Sequence, residues 1–320
     1  MQNVITRTPF RISFIGAGSD MPGFYNKSVG AAVNATIDKY MYILIHRTFD
    51  KTYKIRYSKE EEAGAIKDIE HDTAREALKL LKIDPGIEII SISDIPSKGS
   101  GLGSSSAYLV GLLNALHAWK GEMVSKEQLS KEAVMIEKDI LKEPSGLQDP
   151  YAVSFGGLNL YEYMHDERVK VNPIIMKPED LGNMQDSLML LYTGIDRNAN
   201  SILESARRAE GFEELVLRRD MAYKYYDDLI SGDWKRTGHW IGEGLTGAGR
   251  KGKGQEHGIN DIRNRIVELG GSAKNIGSGG GGFLLVYAPK AKRDMIREEL
   301  GLRELEFNLE FNGTSIVFFN

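Results

Sequence analysis

Hydrophobic and polar residues alternate along some segments of the chain, and in others hydrophobic residues recur at helical spacing. A period of two is typical of a half-buried strand, and recurrence every three or four residues is typical of an amphipathic helix. The pattern predicts a strand running into a turn at 11–20, a hairpin of 39–48 and 53–58, and further strands at 86–93, 158–163, 168–175, 187–193, 283–287, 304–311 and 314–319. It predicts helices at 69–81, 104–120, 125–142, 198–209, 212–231, 233–244, 259–269 and 290–300.

Polar and turn-forming residues gather at 177–183, between the two halves of this pattern. We expect a domain boundary there, with one domain at 1–182 and a second at 183–320. A chain of 320 residues is long enough for one large or two moderate domains. The mixture of strands and helices favours an α+β fold.

The segment Lys98-Gly99-Ser100-Gly101-Leu102-Gly103-Ser104-Ser105-Ser106 lies between the strand predicted at 86–93 and a strongly hydrophobic helix. A glycine-rich turn that opens a helix presents unpaired backbone N–H groups, and the helix dipole adds positive charge there. Phosphate binds at such places. Gly103, not a lysine, stands directly before Ser104, so the segment is not a Walker A loop. A flexible linker with a serine N-cap is the alternative; we predict a nucleotide-phosphate loop.

Composition excludes several classes of protein. The net charge of −4 argues against a nucleic-acid-binding protein, which would carry a basic face. The chain has no cysteine, so disulfides, thiolate zinc sites and a cysteine nucleophile are excluded, and a reducing cytoplasm is expected. Its six histidines show no close metal-ligand spacing. We find no signal-peptide pattern and no apolar run of the length that a membrane helix needs.

Glycine makes up 35 of the 320 residues and is concentrated in four clusters, at 16–18, 99–103, 242–258 and 277–282. Clustered glycines indicate backbone contact with a ligand or with another loop. The first cluster follows a strand, as in a dinucleotide-binding fold. Dinucleotide-binding folds carry a Gly-x-Gly-x-x-Gly fingerprint, but Met21 stands at its third glycine position in this chain, and Pro22-Gly23 disfavours a helix start. Segment 246–254 is more typical of a surface loop than of a phosphate lid.

Two acidic residues allow more than one interpretation. Glu137 lies on a predicted helix, where most acidic side chains are solvated. Asp149 directly precedes Pro150, as an N-cap residue followed by proline at the first helical position does. Local sequence therefore leaves a structural role for Asp149 open beside a chemical one.

Three motifs, in order along nearly the whole chain, resemble those of the GHMP kinase superfamily. Thr8-Pro9-Phe10-Arg11 with Asp20 resembles its N-terminal sugar-binding motif, and Gly101 to Ala107 resembles its ATP phosphate loop. Gly277 to Phe283 resembles its C-terminal glycine motif. The resemblance implies a ribosomal protein S5-like N-terminal lobe, a ferredoxin-like C-terminal lobe and an active site in the cleft between them.

Within the superfamily, the resemblance is strongest to the heptose 7-phosphate kinases. It rests on Arg11 to Pro22, Ala35 to Tyr40, Gln148 to Gly157 and Tyr192 to Arg197. The chain departs from their usual Gln-Asp-Gln-Tyr at Pro150, and also from their usual Trp- and Lys-containing stretch at 244–254. These departures leave the identity of the sugar open.

The resemblance also implies roles for individual residues in phosphoryl transfer from ATP. Lys98 to Ser106 would hold the phosphates, and Ser105 and Glu137 would hold Mg²⁺. Asp149 would accept the proton of the attacking hydroxyl, and Arg11 would stabilise the transferred group and keep Asp149 ionised.

On the substrate side, the resemblance implies that Asp20, Gly279 and Gly280 contact the sugar. Arg197 would bind a phosphate that the substrate already carries, or form a surface ion pair instead. The acceptor would be the anomeric hydroxyl of a heptose 7-phosphate. The alternatives are another GHMP activity on a hexose, fucose or mevalonate-type substrate, a non-catalytic kinase-fold binding protein, and a Rossmann oxidoreductase. The oligomeric state is not predicted.

Overall fold

Two β-sheets organise the chain in the computed structural model, which describes residues 3–96, 99–195, 211–243, 257–277 and 282–320. The strands are β1 (Asn3–Ile15), β2 (Gly30–Arg47), β3 (Tyr53–Arg56), β4 (Glu60–Ala63), β5 (Ile87–Ser93), β6 (Leu158–Tyr163), β7 (Val169–Pro173), β8 (Leu188–Tyr192), β9 (Ser272–Asn275), β10 (Phe283–Tyr287), β11 (Arg303–Leu305), β12 (Leu309–Glu310) and β13 (Ser315–Phe319). The helices are α1 (Pro22–Tyr25), α2 (Asp72–Leu80), α3 (Ser104–Trp119), α4 (Lys126–Val134), α5 (Gln148–Phe155), α6 (Pro178–Asp186), α7 (Phe212–Ile230), α8 (Thr237–Glu243), α9 (His257–Glu268) and α10 (Lys290–Leu300).

The first sheet is built around β1 and β2, which pair antiparallel over most of their length. Its main strand order is β13-β1-β2-β5-β3-β4, while β6 and β12 also pair with β2, and β7 pairs with β6. In β2 the side chains of Met41, Ile43 and Ile45 are buried, and those between them are partly exposed. This alternation follows from the two-residue period of a strand and fixes which face of the sheet meets the core.

The hairpin predicted from 39–48 and 53–58 is wrong. Strand β5 lies between β2 and β3, pairing antiparallel with β2 and parallel with β3. The partner of β3 in a hairpin is β4 instead. Strand β5 is hydrophobic enough to lie in the interior of the sheet. The local sequence does not reveal, however, which strands it will pair with.

The second sheet has the order β11-β8-β10-β9 and confirms the strands predicted at 187–193 and 283–287. After β11 the chain returns to the first sheet, where β12 pairs with β2 and β13 pairs with β1. A division at residue 182 therefore does not separate the two sheets, because the last strands of the predicted domain 183–320 complete the N-terminal sheet. The polar segment at 177–183 mostly forms α6 rather than a linker.

Helix α3 is the centre of the larger core and confirms the helix predicted at 104–120. All of its residues except Ser105 and Trp119 are buried. The helix packs closely on the sheet, where the Thr6 hydroxyl donates a hydrogen bond to the Gly111 carbonyl at 2.9 Å. A Cβ atom at Gly111 would lie 2.8 Å from the Thr8 hydroxyl, so a larger residue there would push the helix off the sheet.

The single helix predicted at 125–142 is only partly correct. Helix α4 is followed by a π-helical turn at Met135–Ile140, which contains Glu137. Such turns are uncommon and often lie at functional sites, because they redirect the side chains that follow. The predicted helix at 198–209 and the segment 246–254 lie outside the described residues. Across the described ranges, no helix combines the length and the hydrophobicity required to cross a membrane.

We predict a pH-dependent contribution to stability from His117 on α3. Burial alone lowers the pKa of His117, but hydrogen bonds with Glu132 and Glu122, both at 2.8 Å, outweigh it and raise the pKa above the usual value. The folded state therefore binds this proton more tightly than the unfolded state. The stabilisation is complete below the unfolded pKa of about 6.5 and is lost as pH rises through the folded pKa.

Denaturant unfolding of the parent and of His117→Gln, from about pH 6 to about pH 9, tests this prediction. The parent should lose more unfolding free energy over this range than the variant, which has no imidazole to deprotonate. Equal pH dependence of the two proteins would contradict the prediction.

Candidate active site

The predicted phosphate loop forms a turn at the N-terminus of α3. Gly99, Gly101 and Gly103 have positive φ angles of 73°, 79° and 75°, a conformation that glycine adopts without strain. Gly103 is the N-cap of α3, and no side chain caps the helix there. The first backbone N–H groups of α3 are thus available to an anion.

Serine hydroxyls shape the same turn. Ser100 and Ser104 share a hydrogen bond of 2.7 Å between their hydroxyl oxygens, and the Leu102 N–H donates to the Ser100 oxygen at 3.3 Å. Ser105 is exposed at the surface of the turn, whereas Ser106 is buried beneath it. Lys98, predicted to contact ATP, lies outside the described residues.

Arg11 on β1 and Asp149 on α5 form a bidentate ion pair next to this turn. The Arg11 Nε and Nη2 atoms donate to the two Asp149 carboxylate oxygens at 2.7 and 2.6 Å. The third nitrogen, Nη1, donates to the Gly101 carbonyl at 2.6 Å. The guanidinium is therefore bound on one side to the carboxylate and on the other to the phosphate loop.

The structure excludes the alternative of Asp149 as a helix N-cap. Leu147 occupies the N-cap position of α5, and Asp149 lies within the first turn. The Asp149 side chain points to Arg11 and is 29% exposed, whereas that of Arg11 is 5% exposed. Asp149 is thus held by a buried cation and remains accessible from the cavity.

Asp20 lies beside this pair in the turn that follows β1. Its carboxylate accepts N–H groups from Gly18 at 2.9 Å and from Gln148 at 3.3 Å. Burial raises the pKa of Asp20, and the nearby charge of Asp149 raises it further, although the two backbone hydrogen bonds oppose the shift. Asp20 and Asp149 are close enough to contact one small substrate.

Glu137 is a third carboxylate, buried under the first turn of α3. Its Oε1 atom accepts a hydrogen bond from the Ser106 hydroxyl at 2.7 Å, and its Oε2 atom has no hydrogen-bond partner in the described part of the chain. Burial raises the pKa of Glu137 to about 8, and the charge of Asp149 adds to the shift. Ser106 is therefore the serine that hydrogen-bonds Glu137, while Ser105, predicted with Glu137 to hold Mg²⁺, lies exposed at the same turn.

A cavity of about 430 Å³ joins these groups. It is lined by Arg11, Asp20, Gly99, Ser100, Gly101, Gly103, Ser104, Ser105, Ser106, Glu137, Glu143, Pro144, Ser145, Gly146, Asp149 and Gly277. Most of the described residues that the sequence singled out are therefore brought to one site. Arg197, Gly279 and Gly280 lie outside the described residues.

Sequence reasoning missed the contribution of segment 143–146 to the cavity wall. A Cβ atom at Gly146 would lie only 2.0 Å from the Asp20 Oδ2 atom, so this position has no room for a side chain. Pro144 and Gly146 are both residues that break helices. The combination of two breakers directly before Asp149 was the available signal.

The C-terminal glycine motif reaches the phosphate loop through its last glycine. Gly282 has a φ of 78°, and a Cβ atom there would lie 2.4 Å from the Gly99 carbonyl oxygen and 2.6 Å from that of Ser100. The Phe283 N–H donates to the Ser100 carbonyl at 3.3 Å. The two glycine clusters are thus in backbone contact.

We predict that Gly282→Ala displaces the phosphate loop and lowers nucleotide affinity and turnover by roughly tenfold or more, since a misplacement of about 1 Å can cost a factor of about 100. Gly121→Ala is the matched control, because Gly121 has a φ of 77° but no atom within 4 Å of the added Cβ. Both variants bear the same backbone strain. ATP affinity measured by calorimetry should fall only in Gly282→Ala, and equal values for the two variants would refute the contact.

Comparison with known proteins agrees with this geometry. The GHMP kinases N terminal domain model matches residues 51–157. The D-glycero-alpha-D-manno-heptose 7-phosphate kinase of Campylobacter jejuni is 28% identical over 337 aligned positions, which cover 97% of this chain and 98% of that protein.

Solved structures share the fold over nearly the whole chain. A D-glycero-D-manno-heptose 1-phosphate kinase from Bacteroides thetaiotaomicron superposes with a TM-score of 0.80 at 22% identity, covering 98% of this chain and 99% of that one. Lactococcus lactis galactokinase in complex with galactose gives a TM-score of 0.74 at 17% identity, covering 98% and 95%. The fold predicted from the motifs is confirmed, and residues 51–157 match the GHMP kinases N terminal domain.

Proposed function

We propose that this protein transfers the γ-phosphoryl group of ATP to the anomeric hydroxyl of D-glycero-D-manno-heptose 7-phosphate, giving the 1,7-bisphosphate. The observation that carries the proposal is the bidentate Arg11–Asp149 pair beside the open N-terminus of α3. The choice of sugar is supported by the full-length relative from C. jejuni. Phosphoryl transfer depends mainly on positioning and charge stabilisation, which this arrangement supplies.

The nucleotide end of the site is the turn at 99–106. Backbone N–H groups of the first turn of α3 and the hydroxyl of the exposed Ser105 face the cavity in which the triphosphate would lie. The positive end of the helix dipole favours anionic oxygens there. The glycines allow those oxygens to approach the backbone without meeting a side chain.

At the reacting end, Asp149 accepts the proton of the sugar hydroxyl or orients that hydroxyl for attack on the γ-phosphorus. Arg11 is always charged, and its two hydrogen bonds hold the Asp149 carboxylate in one orientation. The Arg11 guanidinium also lies between the base and the phosphate loop, where it can stabilise the negative charge that develops during transfer.

The residues present fit a magnesium ion bound together with ATP. Glu137 offers a carboxylate oxygen without a partner, and Ser105 and Ser106 offer hydroxyls beside the phosphate loop. Magnesium in kinases is typically held by one or two carboxylates and the substrate phosphates, which accords with this small set of oxygen ligands. When bound, a magnesium ion would offset part of the negative charge of the ATP phosphates.

For the acceptor sugar, Asp20 is the group that the structure brings next to Asp149. We propose that its carboxylate accepts hydrogen bonds from sugar hydroxyls. Arg197, Gly279 and Gly280 stay predicted substrate contacts.

We predict that Asp149→Asn lowers kcat by about 10²–10⁴-fold, the usual contribution of a general base, while ATP still binds. The variant should also lose stability, because Arg11 is buried and would lack its counter-charge. Asp228→Asn is a matched control, since Asp228 pairs with Arg236 at 3.0 Å and its side chain is 15% exposed. Thermal midpoint, ATP affinity and turnover are measured on one preparation of each protein. The affinity and turnover assays are run at a temperature well below the thermal midpoints of both variants.

A loss of turnover in Asp149→Asn that is absent from an equally destabilised Asp228→Asn identifies chemistry rather than folding. Turnover within about threefold of the parent would exclude Asp149 as the base, because so small a loss of turnover lies well below the loss expected for that role.

The substrate is tested by ADP release with a panel of acceptors: heptose 7-phosphate, heptose, galactose, fucose and mevalonate. We expect kcat/KM to be highest for heptose 7-phosphate, and ³¹P NMR of the product to show a phosphate on the anomeric oxygen. A higher kcat/KM for an unphosphorylated acceptor would assign a different activity within the superfamily. No ATP turnover with any acceptor would favour a binding protein.

A further inference from the structure

We propose that Gln148 positions the Asp149 carboxylate so that its Oδ2 atom, and not Oδ1, receives the proton of the acceptor hydroxyl. The inference rests on the proposed function, in which Asp149 is the base of the phosphoryl transfer, and it gives a role to the residue directly before that base. Gln148 acts through the carboxylate and not on the reacting atoms, so it is a positioning residue.

Gln148 lies between the carboxylates of Asp20 and Asp149. It is the first residue of α5 and is only 4% exposed. Its backbone N–H donates to the Asp20 Oδ2 atom at 3.3 Å, and its side-chain Nε2 atom donates to the Asp149 Oδ1 atom at 3.4 Å. One uncharged residue thus supplies hydrogen-bond donors to both acids at the reacting end of the site.

The hydrogen bonds of Asp149 distinguish its two carboxylate oxygens. Oδ1 accepts from the Arg11 Nε atom at 2.7 Å and from Gln148, whereas Oδ2 accepts from the Arg11 Nη2 atom at 2.6 Å. A carboxylate oxygen offers about two lone-pair sites. Counting the described residues, both sites of Oδ1 are occupied, and one site of Oδ2 is left for the acceptor hydroxyl.

This difference selects one direction of approach for the acceptor. The hydroxyl proton passes to Oδ2, the hydroxyl oxygen bonds to the γ-phosphorus, and the bond from that phosphorus to the bridging oxygen breaks, leaving its electron pair on ADP. Without the Gln148 donor, a site on Oδ1 becomes free and the hydroxyl can bind to either oxygen. Hydrogen bonds at active sites are often long in the free enzyme and shorten in the complex, so the 3.4 Å contact suits this role.

The other end of the Gln148 amide indicates that the residue does not serve stability. Its Oε1 atom is buried and has no hydrogen-bond partner within the described ranges. A buried acceptor without a donor costs free energy of folding, and an apolar side chain of similar shape avoids that cost. Stability alone therefore favours methionine over glutamine at this position.

Gln185 on α6 offers a matched glutamine with the opposite properties. Its Nε2 atom donates to the Asn308 Oδ1 atom at 2.8 Å, and its Oε1 atom accepts from the Leu309 N–H at 3.0 Å. Both ends of this half-buried amide are thus hydrogen-bonded. Gln185→Met should lower the thermal midpoint and leave kcat unchanged, because Gln185 does not line the cavity.

The experiment compares the parent, Gln148→Met, Asp149→Asn, the double variant and Gln185→Met. Thermal midpoint, kcat and KM for ATP and for the acceptor are measured for each protein, with the acceptor of highest kcat/KM in the panel. We expect Gln148→Met to lower kcat by about fivefold to fiftyfold and to change each KM by less than about twofold, since misplacement by about 1 Å can cost a factor of about 100. Its thermal midpoint should equal or exceed that of the parent.

The double variant shows whether Gln148 acts through Asp149. In the Asp149→Asn background, Gln148→Met should lower kcat by no more than about twofold, because no carboxylate is left to position. Losses that multiply in the double variant overturn the inference, since an independent structural role has that effect. So does an unchanged kcat in Gln148→Met, and so does a raised KM for the acceptor alone, which would make Gln148 a sugar contact.

Failure of the proposed function gives different results. Activity that is highest on another acceptor overturns the proposed substrate and leaves the test of Gln148 as it stands. Full turnover in Asp149→Asn, or an inactive parent, overturns the base and the positioning role together. A loss of kcat in Gln148→Met that disappears in the Asp149→Asn background, with stability kept, supports the inference.

Discussion

The ion pair between Arg11 and Asp149 is the interaction on which the site depends, because it joins three parts of the fold. Arg11 is fixed in β1, and its main-chain N–H donates to the Leu102 carbonyl at 2.9 Å while its side chain donates to the Gly101 carbonyl. Asp149 lies in the first turn of α5, which packs on β1 and β2. Removing one partner of a buried pair costs about 3–5 kcal/mol. The same contact therefore links the first sheet, the predicted phosphate loop and the Asp149 carboxylate.

The electrostatics of the cavity explain why it suits a kinase. Asp20, Glu137 and Asp149 lie around one buried guanidinium, and burial raises the pKa of both Asp20 and Glu137. The described lining of the cavity has four acidic residues and one cation, Arg11, so bound ATP with its negative phosphates needs further positive charge there. The backbone dipoles of α3 supply part of the deficit, and a divalent ion beside Glu137 would supply the rest.

Sequence predicted the parts of the structure that depend on local chemistry. The loop at 99–106 was predicted because glycines and serines directly precede a hydrophobic helix. Helix α3 was predicted because most residues from Ala107 to Trp119 are apolar. The place of β5 between β2 and β3, and the return of β12 and β13 to the first sheet, depend on contacts between distant residues. The hydrogen bond from Ser106 to Glu137 was not predicted, because it depends on the rotation of α3 and on the π-helical turn, which the sequence did not indicate.

Glycines also determine how the two sheets meet. The backbone at Gly282 lies against the carbonyls of Gly99 and Ser100, and Lys274 on β9 donates to the Phe14 carbonyl at 2.7 Å, near the end of β1. The Thr193 N–H donates to the Gly282 carbonyl at 2.9 Å, so the end of β8 is tied to the same point. The predicted phosphate loop is thus supported by both sheets, and the turn at 16–20, which carries Asp20, begins where the second sheet contacts β1. A shift of one sheet against the other would alter the nucleotide and acceptor ends together, which couples the positions of the two reactants through the packing of the fold.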